Sequence, residues 1–390
     1  MSASALLPGA TLGVVGGGQL GRMFALAAAR LGYRVHVLAP EADPPAAQVA
    51  AAHTRAGYDD GRAVERFAAA VGAVTYEFEN IPPQTLRAIA ACRPVRPSPE
   101  ILEIARHRRK EKTFLRDRGI PVTPFLPAAK PADLPAAARA LGGVAVLKTS
   151  EWGYDGKGQT VFRADDDPEA AWAALGRPDE CIVERRIELA GEFSVIVARD
   201  AAGGVVFYGP FHNEHRNHIL DVTVWEAEPK EAAARPAREI GGAVADAFGL
   251  VGLICVECFV AANGEIMVNE IAPRPHNSGH LTIEACSIGQ FEQQARVTAG
   301  LAAVPPVPRA PAAAMANLLG DLWAGGEPDW SAVLNDPAIA LHLYGKREAR
   351  PGRKMGHLTA LADTRAAARA RVVAARQGLM RGGARAAAVS

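Results

Sequence analysis

Two glycine-rich loops, two carboxylates on neighbouring apolar segments and one rigid cationic loop hold most of the chemistry this chain can do. The second glycine loop, Gly153-Tyr154-Asp155-Gly156-Lys157-Gly158-Gln159, is preceded by Lys148. β-forming segments flank it at 144–148 and 159–162, so the pattern is strand–loop–strand and no helix opens at the glycines. Such a loop folds over a triphosphate, where its amides and lysines neutralise charge building on a transferred phosphoryl group. It is not a Walker loop, because no Lys-Ser/Thr pair closes it.

The carboxylates come later. Glu257 sits in the apolar run 253–260 and Asn269-Glu270 in the run 265–271, with the hairpin signal Asn263-Gly264 between them. Cross-strand neighbours put both acids on one face, where their oxygens suit Mg²⁺ carrying nucleotide phosphates. A salt bridge at a sheet edge would use the same residues, since a buried acid needs either a partner or an ion. The next segment, 271–280, has two prolines and a glycine that stiffen a loop displaying Arg274, His276, Asn277 and His280. A forked guanidinium with imidazole and amide donors suits a small anion.

The first glycine loop, Gly16-Gly-Gly-Gln19-Leu-Gly21, fits G-x-G-x-x-G, and Glu41 lies where a dinucleotide domain keeps its ribose-binding acid. Alone it is compatible with NAD or FAD, with another phosphate, or with a tight turn that packs a helix closely. Cys255 and Cys258 form a C-x-x-C, but no second pair follows at zinc spacing, so they read as structural thiols.

The elements that must position these residues alternate strand and helix over the first hundred positions: strands at 11–15, 34–38 and 71–76, and a helix at 22–31. That is the pattern of a parallel α/β sheet. The proline-rich stretch 93–99 marks a boundary and a charged helix is expected over 100–118. Further strands are expected at 181–184, 193–199 and 205–209, helices at 231–248 and 284–299, a second linker at 301–311, and a surface helix with a frayed end over 357–390. A length of 390 residues predicts two or three domains.

Bulk composition excludes more than it assigns. Lysine plus arginine (43) balances aspartate plus glutamate (42), so no global field points to nucleic acid or an anionic membrane. No apolar stretch is long enough to span a bilayer, and the first residues lack the basic and apolar regions of a secretory signal. Five scattered cysteines predict reduced thiols and a cytoplasmic location.

The motifs GVVGGGQLGRM (13–23), YEFEN (76–80), LKT (147–149) with GYDGKGQ (153–159), NEIAPRPHNSGH (269–280) and LYGKREARPGRKMGH (343–357) together resemble the N5-carboxyaminoimidazole ribonucleotide synthetases of the ATP-grasp superfamily. The resemblance covers the chain to about residue 360. It implies α/β and α+β architecture: a parallel α/β pre-ATP-grasp domain over 1–105, an ATP-grasp domain over 112–299 (lid about 120–188, metal and phosphate half about 189–299) and a small C-terminal domain over 312–390. It also implies a ligase of purine biosynthesis that uses ATP, bicarbonate and 5-aminoimidazole ribonucleotide, with Mg²⁺, as a homodimer.

Carried over by position, ATP would meet Arg108, Lys148, the loop from Gly153 to Gln159, Glu184, Arg185, Arg186, Ile187, Glu192, His215, Asn269 and Glu270. Glu257 and Glu270 would hold the metal. Arg274, His276 and Asn277 would hold bicarbonate and carboxyphosphate, with Lys354 beside them. The ribonucleotide would touch Gln19, Glu77, Tyr154 and Asp155, and Lys346, Arg353 and Lys354 would lie near its phosphate, although that basic trio alone also reads as a solvated loop. Two positions depart from the family pattern: Ser150-Glu151-Trp152 replaces an arginine-containing segment, and His218 replaces a glycine. The rival readings are a biotin carboxylase or formate-dependent transformylase of the same superfamily, a nicotinamide oxidoreductase, and a non-catalytic nucleotide-binding subunit.

Overall fold

Four short parallel strands open the chain: β1 (Thr11–Val15), β2 (Arg34–Ala39), β3 (Ala52–Arg55) and β4 (Ala73–Tyr76), in the order β3-β2-β1-β4. The computed structural model describes residues 5–151, 157–229 and 234–386. The parallel sheet is covered on both faces, as its unbroken apolar strands require. Leu12 and Val14 enter one core with the helix Gln19–Arg30, while Val15, Val74 and Tyr76 enter the other.

Residues 125–185 form a small antiparallel sheet of β5 (Phe125–Ala128), β6 (Val144–Thr149), β7 (Gln159–Arg163) and β8 (Cys181–Arg185), ordered β5-β8-β6-β7. The loop between β6 and β7 is the second glycine loop. An eight-stranded sheet follows: β9 (Leu189–Arg199), β10 (Val205–Arg216), β11 (Ile219–Glu226), β12 (Gly252–Ala261), β13 (Ile266–Ala272), β14 (Ala312–Leu319), β15 (Ile339–Leu343) and β16 (Lys354–Ala362). Its order is β13-β12-β9-β10-β11-β14-β16-β15, so the C-terminal strands continue the sheet that carries Glu257 and Glu270. The helix Gln290–Ala299 docks this half onto the first domain, burying Phe291, Ala295 and Ala299 against the core of Leu12 and Phe24.

Several expected helices are shorter or broken. The helix expected over 100–118 is two, Pro99–Ala105 and Arg108–Arg116, and the break lets Arg108 and Glu111 face the central cleft. The one expected over 284–299 splits into Thr282–Ala285 and Gln290–Ala299, because residues 286–287 pair instead with the linker, Ser287 N–H donating to Val307 O at 2.8 Å. The 231–248 helix is seen as Ala234–Ala247, with 231–233 outside the described residues. The tail is not helical from 357: His357 to Ala362 belong to β16, held between β14 and β15, and the helix Arg365–Ala386 begins after it. Cys255 and Cys258 are buried in cores on opposite sides of the large sheet, and burial raises both thiols. Among the described residues no group of three or more His, Cys, Asp or Glu is placed to hold a metal, and no helix is long and apolar enough to cross a membrane.

Candidate active site

The three sheets meet around a cleft of about 1250 Å³. The hairpin β12–β13 supplies its floor. Glu257 and Glu270 are register partners, as the Asn263-Gly264 turn predicts, and Ser194 of β9 is the neighbour of Glu257 on the other side. Arg108 Nη1 donates to Glu270 Oε2 at 2.9 Å, and Lys148 Nζ donates to Asn269 Oδ1 at 3.2 Å. Burial works against the charge on Glu270, but Arg108 and Lys148 outweigh it and hold the carboxyl well below the usual range. Glu111 sits beside it, and burial followed by repulsion from Glu270 pushes that carboxyl up. The two carboxyl groups with the adjacent Asn269 amide oxygen form an all-oxygen donor set, the chemistry that fits Mg²⁺.

Lys148 is fixed from behind. Its ammonium lies 2.7 Å from Glu184 Oε2, and the fully buried Lys112 lies 3.1 Å from Glu184 Oε1. Burial opposes the charge on Glu184, yet the two lysines hold its carboxyl below the usual value. Glu184 therefore lines the cleft as the anchor of Lys148, a role the sequence did not separate from nucleotide contact. His215 Nδ1 lies 3.0 Å from Glu192 Oε2, and both line the same end of the cleft, with Arg185, Arg186 and Ile187 nearby. Burial lowers the imidazole pKa, but Glu192 more than compensates and raises it. A raised histidine contributes stability that is fully present below the unfolded value of about 6.5 and is lost as pH rises through the folded value. Glu192→Gln is therefore expected to flatten the fall in stability between pH 6 and 8, by about 1 kcal/mol or less at this partly exposed pair. Chemical denaturation at the two pH values checks this, and an unchanged slope would remove the pairing from the stability account.

The loop after β13 brings Arg274, His276 and Asn277 to the cleft. Arg274 Nη2 pairs with Glu79 Oε1 at 2.6 Å and its Nη1 donates to Pro275 O at 3.0 Å, while Nε has no partner. His276 Nε2 lies 3.1 Å from Glu257 Oε1. Asn277 is 8% exposed, lines the cleft, and has neither amide atom hydrogen-bonded. Unpaired buried polar atoms are costly, so they mark a place where a ligand completes the bonding. His280 is turned away into the core, where its Nδ1 accepts from Gln290 Nε2 at 3.0 Å.

The first glycine loop already holds a carboxylate. Glu77 accepts from Gly18 N–H and, at 2.8 Å, from Gly21 N–H. Gly16 has φ +110, and a Cβ there would stand 2.4 Å from Glu77 Cγ. The amides that would cradle a dinucleotide pyrophosphate are taken by the protein itself, which removes the observation that favoured NAD or FAD. Gly18 and Gln19 line the cleft beside Glu77.

Lys354 lines the cleft, whereas Lys346 and Arg353 do not; Lys346 Nζ donates to Lys354 O at 2.6 Å, and Arg353 Nη1 to Glu348 O at 2.9 Å. Gln159 lines it too, and Gly158 and Lys157 stand at the loop's end, outside the lining. Gly153, Tyr154, Asp155 and Gly156, with Trp152, lie outside the described residues. Sequence reasoning did not single out Glu79, Asn80 or Glu111; the motif YEFEN contained the first two, but only Glu77 was assigned a contact. His218 adopts φ +64, the left-handed conformation a glycine would favour, and lies 3.4 Å from Gln159 Nε2.

Residues 9–106 match the ribonucleotide synthetase preATP-grasp domain, 113–291 the ATP-grasp domain, and 313–371 the phosphoribosylaminoimidazole carboxylase C-terminal domain. The N5-carboxyaminoimidazole ribonucleotide synthase of Brucella melitensis is 42% identical over 361 residues, covering 92% of this chain and 98% of that one. The chain belongs to the N5-carboxyaminoimidazole ribonucleotide synthase family. A crystal structure of the Aspergillus clavatus N5-carboxyaminoimidazole synthase in complex with ADP and 5-aminoimidazole ribonucleotide superimposes with a TM-score of 0.83 at 31% identity, over 95% of this chain and 99% of that one. The bifunctional purine synthesis protein purC/E of Dictyostelium discoideum is 42% identical over 92% of this chain, which spans 38% of that protein's length. An N5-carboxyaminoimidazole ribonucleotide synthase is an ATP-grasp ligase, and the parallel first domain, the ATP-grasp sheets and the C-terminal strands described above are its architecture.

Proposed function

We propose that this protein carboxylates 5-aminoimidazole ribonucleotide at its exocyclic amine, using ATP and bicarbonate, in purine biosynthesis. The observation that carries the reading is the Arg274–Asn277 loop, whose unpaired buried polar atoms face the cleft beside the ionised Glu270 and the lysine-anchored entry for a triphosphate. Bicarbonate oxygen attacks the γ-phosphorus of ATP, the bond to the β-phosphate oxygen breaks, and ADP leaves with carboxyphosphate formed. The amine then gains the carboxyl carbon, directly or through CO2, and loses a proton as phosphate departs.

Arg108, Lys148, Glu192 and His215 orient the nucleotide in this reading, together with Arg185, Arg186, Ile187 and the loop 153–159. Glu257, Glu270 and Asn269 would hold Mg²⁺, which when bound draws off charge on the phosphates. Arg274, His276 and Asn277 orient bicarbonate and exclude water from carboxyphosphate. Gln19, Glu77, Tyr154, Asp155, Lys346, Arg353 and Lys354 receive the ribonucleotide, and the active form is a homodimer in the cytoplasm. The test is ADP release from Mg-ATP and bicarbonate with and without 5-aminoimidazole ribonucleotide. Strong stimulation by the ribonucleotide is the expected result; ATP turnover indifferent to it would overturn the assignment of substrate.

A further inference from the structure

A row of buried polar side chains runs from the anion loop into the middle of the large sheet. His276 Nδ1 lies 2.8 Å from Ser278 Oγ, which lies 2.6 Å from Ser194 Oγ on β9. Asn213 Nδ2 of β10 donates to Ser194 Oγ at 3.0 Å, and Thr223 Oγ1 of β11 donates to Asn213 Oδ1 at 3.1 Å. Ser194, Ser278 and Thr223 are fully buried and Asn213 is 8% exposed, with Val195, Ile196 and Phe211 around them. Four polar groups at such positions cost stability unless every link is made, and a fully made chain fixes each rotamer it passes through.

The direction of the chain is set at its outer end. The backbone N–H of Ser278 points at His276 Nδ1 at 3.4 Å, and an amide can only donate. Nδ1 is therefore an acceptor, and the Ser278 hydroxyl, itself receiving from Ser194, donates to it as well. The imidazole proton is left on Nε2, 3.1 Å from Glu257 Oε1 and on the cleft side of the ring. Resting on the function proposed above, we infer that Ser278, Ser194 and Asn213 are positioning residues that lock His276 in its Nε2–H tautomer, so that the ring's one donor stays on the cleft side, shared between Glu257 and the bicarbonate site. None of the three lines the cleft. They act on the reaction only through the ring.

Ser194→Ala cuts the chain between Asn213 and Ser278, and Ser278→Ala cuts it at the ring. Two readouts are made on the full chain. The first is the imidazole nitrogen spectrum of histidine-labelled protein, with the His276 signals assigned by their loss in His276→Asn. Wild type is expected to show a protonated Nε2 and a bare Nδ1, and the serine variants a mixture of tautomers. The second is steady-state kinetics, where KM for bicarbonate is expected to rise about tenfold while KM for ATP stays within about twofold. A His276 that remains wholly Nε2–H in both variants overturns the inference, as does an equal rise in both KM values. If Ser194→Ala fails to fold, Ser278→Ala decides. Should wild type show no ribonucleotide-stimulated ADP release, the proposed function fails, and the nitrogen spectrum still decides the tautomer lock.

Discussion

Glu270→Ala is expected to lower ADP release by about 10²–10³-fold or more, the scale of removing one preorganised electrostatic contact to a reacting phosphate. The side chain stands across from Glu257 in register and is kept ionised by Arg108 and Lys148. Its loss removes one of the two carboxylates that would hold Mg²⁺ and leaves the Arg108 guanidinium without the partner now 2.9 Å away. Loss of fold is not the expected cause. The repulsion that Glu270 exerts on buried Glu111 disappears in the variant, which offsets part of the attraction lost between Glu270 and Arg108. Glu270→Gln separates the roles further, since it keeps volume and an acceptor for Arg108 but not the charge. Both variants should show unfolding midpoints near wild type and low turnover, with the Gln variant recovering partly at high Mg²⁺. Near-native ADP release in Glu270→Gln would falsify the metal assignment.

What the sequence revealed about this site was what is local in the chain. The shared cleft position of Lys148 and the hairpin acids was readable because a turn signal and a two-residue period fix which side chains share a face. The partners that tune them were not readable, since they come from distant segments. Glu184 is 36 residues from the lysine it anchors, Glu79 reaches Arg274 from the first domain, and Ser194 meets Ser278 across 84 residues. The first glycine motif shows the same limit. Its spacing allowed a dinucleotide, and only the carboxylate of Glu77, 56 to 59 residues away, decides that the amides are occupied.

The helix expectations failed for a related reason. Residues 286–289 have no breaker before Gly289, yet pairing with the 307–308 linker overrides their helical pattern. Likewise the alanine-rich run of β14 has helical propensity and is a strand, because Ala313 and Met315 pack into one core and Ala314 and Ala316 into another. The parallel sheet of the first hundred residues followed from the alternation of elements and the ATP-grasp architecture from the resemblance, while the continuity of the C-terminal strands with the sheet of Glu257 and Glu270 depends on β11 pairing with β14, about ninety residues apart. That continuity has a structural consequence: Lys354 begins β16 and is carried to the cleft by the same sheet that holds the acids.

Arg274→Ala is expected to reduce carboxylation by about 10²–10³-fold while leaving nucleotide affinity within a few-fold of wild type. The guanidinium is divided three ways, with Nη2 on Glu79, Nη1 on Pro275 O and Nε unpartnered beside the cleft. The first two contacts hold the group in place, and of its five N–H donors Nε and the second N–H on each Nη are left for bicarbonate or carboxyphosphate. Among the described residues the hydrogen bonds and ion pairs of Arg274 go to Glu79 and Pro275 and not to Lys148, Glu184 or His215, so ADP binding measured by calorimetry should survive the substitution. Arg274→Lys should behave almost as badly. An ammonium keeps the charge but cannot hold Glu79 and Pro275 O in one plane while presenting a third donor. Rates unchanged with bicarbonate limiting would remove Arg274 from the anion site. A fall in ADP affinity as large as the fall in carboxylation would instead place the arginine in nucleotide binding, and the unpaired Asn277 amide would then be the remaining mark of the bicarbonate site.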